Sequence, residues 1–178
     1  MAESAPPPVD KPHNPDKPYF PCKDSDFGLF STAPVLLSFQ KNLPVTPDQL
    51  FDVFEDPTSW PRWAHGIGRV VWTSPKPFGV GTTRTVYFWG GMEVYEDFVR
   101  WERGEEMAFV FYGTTQDVFL RFGEHYVVQP MEGGCRLTWT VAFEPAASWA
   151  SFLPLAKPML RANLASYMWR LGRYCARL

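Results

Sequence analysis

The order of elements along residues 35–178 predicts an α+β fold: a curved, seven-stranded antiparallel sheet wrapped around a long C-terminal helix, with two short helices after the first strand. Three observations carry this. One strand-like run precedes a helical pair punctuated by Pro and Trp. Six further strand-like runs follow, joined by separators of only a few residues. From Ala147 onward the apolar residues recur at helical spacing. Short separators join antiparallel neighbours, whereas parallel strands need a crossover that this chain has no room for. A chain of 178 residues is long enough for one well-buried domain and too short for two ordinary ones.

Residues 1–34 hold eight of the 18 prolines. Such a segment sustains neither a helix nor a central strand, so it is expected to be a flexible or surface-bound tail, with residues 1–30 adding little to folding. Tyr19, Phe20, Phe27, Leu29 and Phe30 are the residues that would pin its later half to the fold. Residues 35–43 form the first strand. Thr46 then caps a helix, with Pro47 at its first position and Leu50, Phe51, Val53 and Phe54 on its buried face. Asp56-Pro57-Thr58 breaks that helix, and Ser59-Trp60-Pro61-Arg62-Trp63 opens a second. Strands are expected over 68–74, 82–89, 92–102, 107–113, 118–129 and 136–144, with the Gly90-Gly91 and Gly133-Gly134 pairs at turns. In the last segment Phe152, Ala156, Met159, Asn163, Tyr167 and Leu171 recur at spacings of three and four, which predicts one apolar stripe. Pro154 and Pro158 place the start of the regular helix near Pro158.

Composition excludes several function classes. Aromatics make up 17% of the chain, surface that serves a core or an apolar ligand site equally well. Residues 147–178 carry Lys157, Arg161, Arg170, Arg173 and Arg177 and no acid, while residues 35–146 carry nine basic and 14 acidic residues. A pI near 5.9 argues against nucleic acid as a partner, since that needs a strongly basic domain. No apolar run approaches the ~20 residues of a spanning helix, so stable membrane insertion is not expected. Cys22, Cys135 and Cys175 lie far apart and form no disulfide framework or zinc motif. With no secretory signal at the N-terminus, the expected location is the cytoplasm.

Strand alternation points side chains into the hollow between sheet and helix, and that hollow implies an apolar small molecule as partner. Leu137, Trp139, Val141 and Phe143 share one face, as do Leu120, Phe122, Glu124, Tyr126 and Val128. Arg84 is in phase with Val86 and Phe88. Tyr95, Asp97, Val99 and Trp101 share a face, with Val94 and Phe98 as a rival apolar set. Arg84, Asp97 and Glu124 thus point into an apolar interior. Each is a handle for a ligand carbonyl or hydroxyl, an acid/base group of shifted pKa, a partner in an internal ion pair, or a residue turned outward by a bulge. Asn163 and Tyr167 lie on the helical stripe, and Trp60 and Trp63 either gate the hollow or cap the core. His65 is placed near the hollow's entrance and His125 toward solvent. No metal-ligand spacing, nucleophile elbow, phosphate loop or dinucleotide fingerprint is present, so neither a metal nor a cofactor is expected.

Several short motifs extend this. The Trp60-Pro61-Arg62-Trp63 segment, Val80-Gly81-Thr82 at a strand start, the run from Pro130 through Gly133-Gly134 to Leu137-Thr138-Trp139, and Leu171 near the end of the last helix resemble the START-like superfamily. This is the helix-grip fold, and within it the polyketide cyclase/dehydrase and lipid-transport group. The resemblance covers residues 35–178 and implies binding or transport of a hydrophobic small molecule, lipid, sterol-like or polyketide-like, in an internal cavity. It also allows a cyclase or aromatase acting on a polyketide-like substrate, with Arg84 or Glu124 as catalytic candidates. A non-catalytic interaction protein using the proline-rich tail is a further alternative. The residues expected to meet the ligand are Trp63, Arg84, Trp101, Phe109, Phe111, Glu124, Tyr126, Trp139, Asn163 and Tyr167.

Overall fold

The computed structural model describes residues 11–178. Residues 1–10, with the Pro6-Pro7-Pro8 run of the tail, lie outside the described residues. The elements in chain order are β1 (Phe20–Pro21), α1 (Leu29–Thr32), β2 (Val35–Leu43), α2 (Pro47–Glu55), α3 (Trp60–Trp63), β3 (Ile67–Trp72), β4 (Thr83–Phe88), β5 (Glu93–Glu102), β6 (Glu106–Thr114), β7 (Phe119–Met131), β8 (Gly134–Pro145), α4 (Ala147–Ala150) and α5 (Leu153–Cys175). Seven strands run in the spatial order β2-β8-β7-β6-β5-β4-β3, every pair antiparallel. This is the expected curved sheet holding a long helix.

Local chemistry explains the elements that position the interior. Thr46 Oγ1 accepts the Gln49 N–H at 3.2 Å and Gln49 Oε1 accepts the Thr46 N–H at 2.9 Å, a reciprocal cap that fixes where α2 begins. Leu50, Phe51, Val53 and Phe54 on α2 are buried. In α3, Trp60 and Trp63 lie three residues apart and therefore share one face, and both are buried. The Trp60 indole donates to the Phe54 carbonyl at 2.9 Å and ties the two helices together.

Two expectations about α5 need correction. It begins at Leu153, not near Pro158; Pro154 occupies the first turn, where a missing N–H is harmless, and Pro158 lies inside the helix. The buried face is Leu164, Met168, Leu171 and Cys175. Phe152 and Met159, which the spacing assigned to the buried stripe, are 63% and 74% exposed. Periodicity marks an apolar stripe without saying which length of helix lies over the sheet, and the first turns of α5 do not.

Residues 11–34 pack on the outer, convex face of the sheet. β7 stays hydrogen-bonded to β6 only as far as Val110, and beyond it β1 pairs with Gly113 and Thr114 of β6. The Lys23 N–H then donates to the Leu120 carbonyl at 2.8 Å, so the segment bridges the split between β6 and β7. Tyr19 stacks on Tyr95 at 5.9 Å, and its hydroxyl donates to the Tyr112 carbonyl at 2.9 Å. Gly113 permits this, since a Cβ there would collide with the Tyr19 ring. Leu29 is buried against Val110 and Ala142. Phe27 and Phe30 lie against His125, whose Nε2 sits 3.0 Å from Glu106. Lys11 and Lys17 reach Asp97 and Glu93 at 2.5 and 2.8 Å. Residues 11–34 pack in this way because their scattered aromatics match apolar and tyrosine-rich patches on the outside of the sheet.

Candidate functional site

A cavity of about 170 Å³ lies between the concave face of the sheet and α5. Trp60, Trp63, Ala64 and Ile67 form one wall. Val86 and Phe88 of β4 and Phe109 and Phe111 of β6 form the floor. Tyr126 and Trp139 face across β7 and β8 in register, their rings stacked at 5.9 Å. Leu160, Asn163, Leu164 and Tyr167 of α5 close it from above.

Besides the tyrosines Tyr126 and Tyr167, three ionisable side chains line this apolar space: Arg84, Glu96 and Glu124. Arg84 is 1% exposed and its Nε donates to Glu96 Oε2. Its guanidinium lies 4.2 Å from the Trp60 ring centre and 4.8 Å from that of Phe109, so aromatic faces supply the attraction that water would give elsewhere. Burial pushes the Glu96 carboxyl above the usual carboxylate range, and the Arg84 charge and hydrogen bond oppose this.

Glu124 is held differently. One oxygen, Oε2, accepts from the Tyr126 hydroxyl and from the Trp139 indole, the latter at 3.0 Å. Burial pushes this carboxyl from the ordinary 4.5 up to about 7; the two donors and Arg84 oppose the rise, and the Glu96 charge adds to it. Glu124 is half-buried and lines the cavity. Two further polar atoms of the lining, Trp63 Nε1 and an Nη of Arg84 (Nη1), are buried without a hydrogen-bond partner among the described residues. Buried donors ordinarily have partners, so two unmatched ones on residues that line one small cavity are unusual.

Of the residues singled out from sequence, the cavity brings together Trp63, Arg84, Phe109, Phe111, Glu124, Tyr126, Trp139, Asn163 and Tyr167. Asn163 sits at the rim, and the Tyr167 hydroxyl donates to the His65 carbonyl. Trp101 lies elsewhere: it packs on Phe98 at 5.0 Å and lines a surface cleft with Phe78 and Arg103. Asp97 points outward to Lys11, and Glu96 takes the inward place. Val94, Glu96 and Phe98 alternate regularly on the inner side of β5, with Glu96 opposite Arg84 and Val94 opposite Val86 of β4, so the inward phase is the rival set and not the one that holds Tyr95 and Asp97. The apolar set Val94 and Phe98 belongs to the main core, while Tyr95 is buried on the outer side with Tyr19 and Tyr112. Glu96 was missed because the sequence reading followed the set of Tyr95, Asp97 and Val99, although the rival set of Val94 and Phe98, which brings Glu96 with it, already signalled the other phase.

A second apolar hollow of about 520 Å³ adjoins the first and shares Phe119, Leu160 and Asn163 with it. Its outer rim includes Trp149, Phe152 and Met159, all exposed. Among the described residues no group of three or more His, Cys, Asp or Glu is arranged to hold a metal ion. No described helix is long and apolar enough to cross a membrane.

A sheet-and-helix grip around an apolar cavity defines a class of hydrophobic-ligand proteins, and sequence comparison makes the assignment specific. Residues 35–176 match the model of the polyketide cyclase / dehydrase and lipid transport family, and the chain belongs to that family. Uncharacterized proteins of Mycobacterium tuberculosis (strain H37Rv) and Mycobacterium bovis are 43% identical over 155 residues, covering 87% of this chain and 93% of each relative. Among solved structures, a Thermus thermophilus protein superposes with a TM-score of 0.65 at 16% identity, covering 80% of this chain and 98% of that one. The di-domain ARO/CYC StfQ of the steffimycin biosynthetic pathway gives 0.63 at 12% identity, with 80% of this chain matched to 51% of that one. A START superfamily protein of Mycobacterium smegmatis gives 0.59 at 11% identity, with coverages of 78% and 92%. At these identities the structural likeness establishes the fold.

Proposed function

We propose that this protein binds a hydrophobic small molecule, of lipid, sterol-like or polyketide-like character, and that Trp63, Arg84 and Glu124 recognise an oxygen group on it. The observation that carries this is an aromatic cavity lined by Glu124 and by Trp63 and Arg84, each of which has a buried donor with no partner among the described residues. The volume sharpens the ligand class. An apolar cavity of about 150 Å³ accommodates a benzene-sized molecule, so about 170 Å³ takes one small ring system. A longer ligand extends past Asn163 into the adjoining hollow. The buried free thiols Cys22, Cys135 and Cys175 fit a reducing compartment, and the cytoplasm is the proposed location.

One observation favours a catalytic alternative. A carboxyl raised to about 7 inside an apolar cavity is poised for general acid–base work near neutral pH. Native mass spectrometry of gently purified protein tests the binding proposal, with a co-purified apolar molecule carrying at least one oxygen as the expected result. An empty protein that also ignores small apolar aromatics contradicts it. With the ligand in hand, Glu124→Gln separates the two readings. A carrier keeps affinity within about tenfold, whereas an acid–base catalyst binds normally and loses roughly 100-fold in turnover.

A further inference from the structure

The basic C-terminal segment gathers its charge at a second place. Arg170, Arg173 and Arg177 follow at spacings of three and four, which puts them on one side of α5 and just beyond its end. With Arg62 of α3 they line a groove of about 480 Å³ that shares no lining residue with the cavity. Arg62 is turned to this side because Trp60 and Trp63 of the same short helix face inward. Trp169, Tyr174 and Leu178 complete the walls, and the Arg173 guanidinium lies 4.9 Å from the Trp169 ring centre.

Four arginines drawn together repel one another unless an anion joins them. Elsewhere Arg84, Arg100, Arg103 and Arg121 each have a carboxylate partner within 4 Å, while Arg69, Arg136 and Arg161 stand singly without one, so what sets the groove apart is four such arginines lining one hollow. Among the described residues no carboxylate comes that close to Arg62, Arg170, Arg173 or Arg177. The dipole of α5 favours cations in its last turn, which accounts for Arg173. It accounts neither for Arg62 on another element nor for Arg170, whose Nε is buried with no hydrogen-bond partner among the described residues.

We propose that this groove is a binding site for a phosphate ester, its phosphoryl oxygens held by the arginine forks and its organic part lying against Trp169 and Tyr174. Guanidinium groups match phosphate oxygens bidentately, and several converging on one point suit a multiply charged anion better than a lone carboxylate. The phosphate belongs either to a soluble small molecule or to the headgroup of an anionic phospholipid.

Calorimetric titration with inorganic pyrophosphate, and sedimentation with vesicles of phosphatidylcholine alone or mixed with phosphatidylglycerol, test the site on the full chain. Saturable pyrophosphate binding that falls at least about tenfold in an Arg173→Glu, Arg177→Glu double variant supports a soluble ester. Binding confined to phosphatidylglycerol vesicles, with the same loss, supports a headgroup. Arg173→Lys with Arg177→Lys keeps the charge without the fork and should give an intermediate loss. Unfolding midpoints of the variants, measured alongside, must stay near that of the parent for either loss to count, and both positions are exposed. The proposal is overturned if the parent binds neither probe, if the Glu variant binds as well as the parent, or if acetate at equal ionic strength binds as well as pyrophosphate. Binding of polyglutamate with no response to pyrophosphate or vesicles overturns it in favour of an acidic peptide.

Discussion

Glu124→Gln tests the electrostatics of the cavity without requiring a ligand. Glutamine keeps the size of the side chain and an oxygen to accept from Tyr126 and Trp139, but it does not titrate. In the folded protein the Glu124 carboxyl sits at about 7 against an ordinary 4.5, a gap worth about 3 kcal/mol. The folded pKa is raised, so between those two values the native state holds a proton that the unfolded chain has released. The associated stability is present in full below about pH 4.5 and is lost as pH rises through about 7. Urea unfolding of parent and variant from about pH 5 to about pH 8 reads this directly. Other groups contribute alike to both proteins and largely cancel in the difference. The variant should gain on the parent by up to about 3 kcal/mol across the window, with no further gain above it. Parallel stability curves would refute the reasoning, since they would mean that Glu124 ionises as an ordinary carboxyl and that water, not the aromatic wall, sets its environment.

Three further outcomes follow from the packing. Deleting residues 1–30 removes the buried Tyr19, Cys22 and Leu29, and at about 1.5–3 kcal/mol for each large apolar side chain the Tm should fall by roughly 10 °C; an unchanged midpoint in a thermal melt would contradict the outer packing described. Trp139→Ala should cost about 3–5 kcal/mol as a buried aromatic and also weaken binding of a small aromatic probe by fluorescence, whereas full stability with normal binding would place Trp139 outside the wall. Arg84→Met should destabilise by about 3–5 kcal/mol by leaving Glu96 buried and unpaired, and adding Glu96→Leu should restore part of that loss; strictly additive losses in urea unfolding would show that the pair is not coupled.

Strand order and most strand limits could be read from sequence because each run is bounded by Pro, Gly or charged turns, and β2 falls on residues 35–43 as expected. Thr46 and Pro47 announced α2 through chemistry confined to one helical turn. Arg84 and Glu124 were legible as inward charges because β4 and β7 alternate regularly around them. β5 was not, since both of its alternating sets are rich in apolar residues, and the set holding Tyr95 and Asp97 faces outward while Val94, Glu96 and Phe98 face inward. The first turns of α5 misled for a different reason: an apolar stripe looks the same whether it meets a core or rims an open hollow. The tail was hardest, because it is pinned by isolated aromatics finding partners far along the chain, and no local period records such contacts.

In the proposed function an apolar molecule occupies the cavity with its oxygen on the unmatched donors of Trp63 and Arg84. The most direct measurement is the indole N–H resonance of Trp63, assigned by its disappearance in Trp63→Phe, followed during titration with 1-naphthol, a small aromatic carrying one oxygen. The account predicts a saturable downfield shift of that resonance as its buried N–H gains an acceptor, with the exposed Trp169 unmoved. A Trp63 resonance that stays fixed while 1-naphthol binds, or while only Trp149 and Trp169 respond, would contradict it.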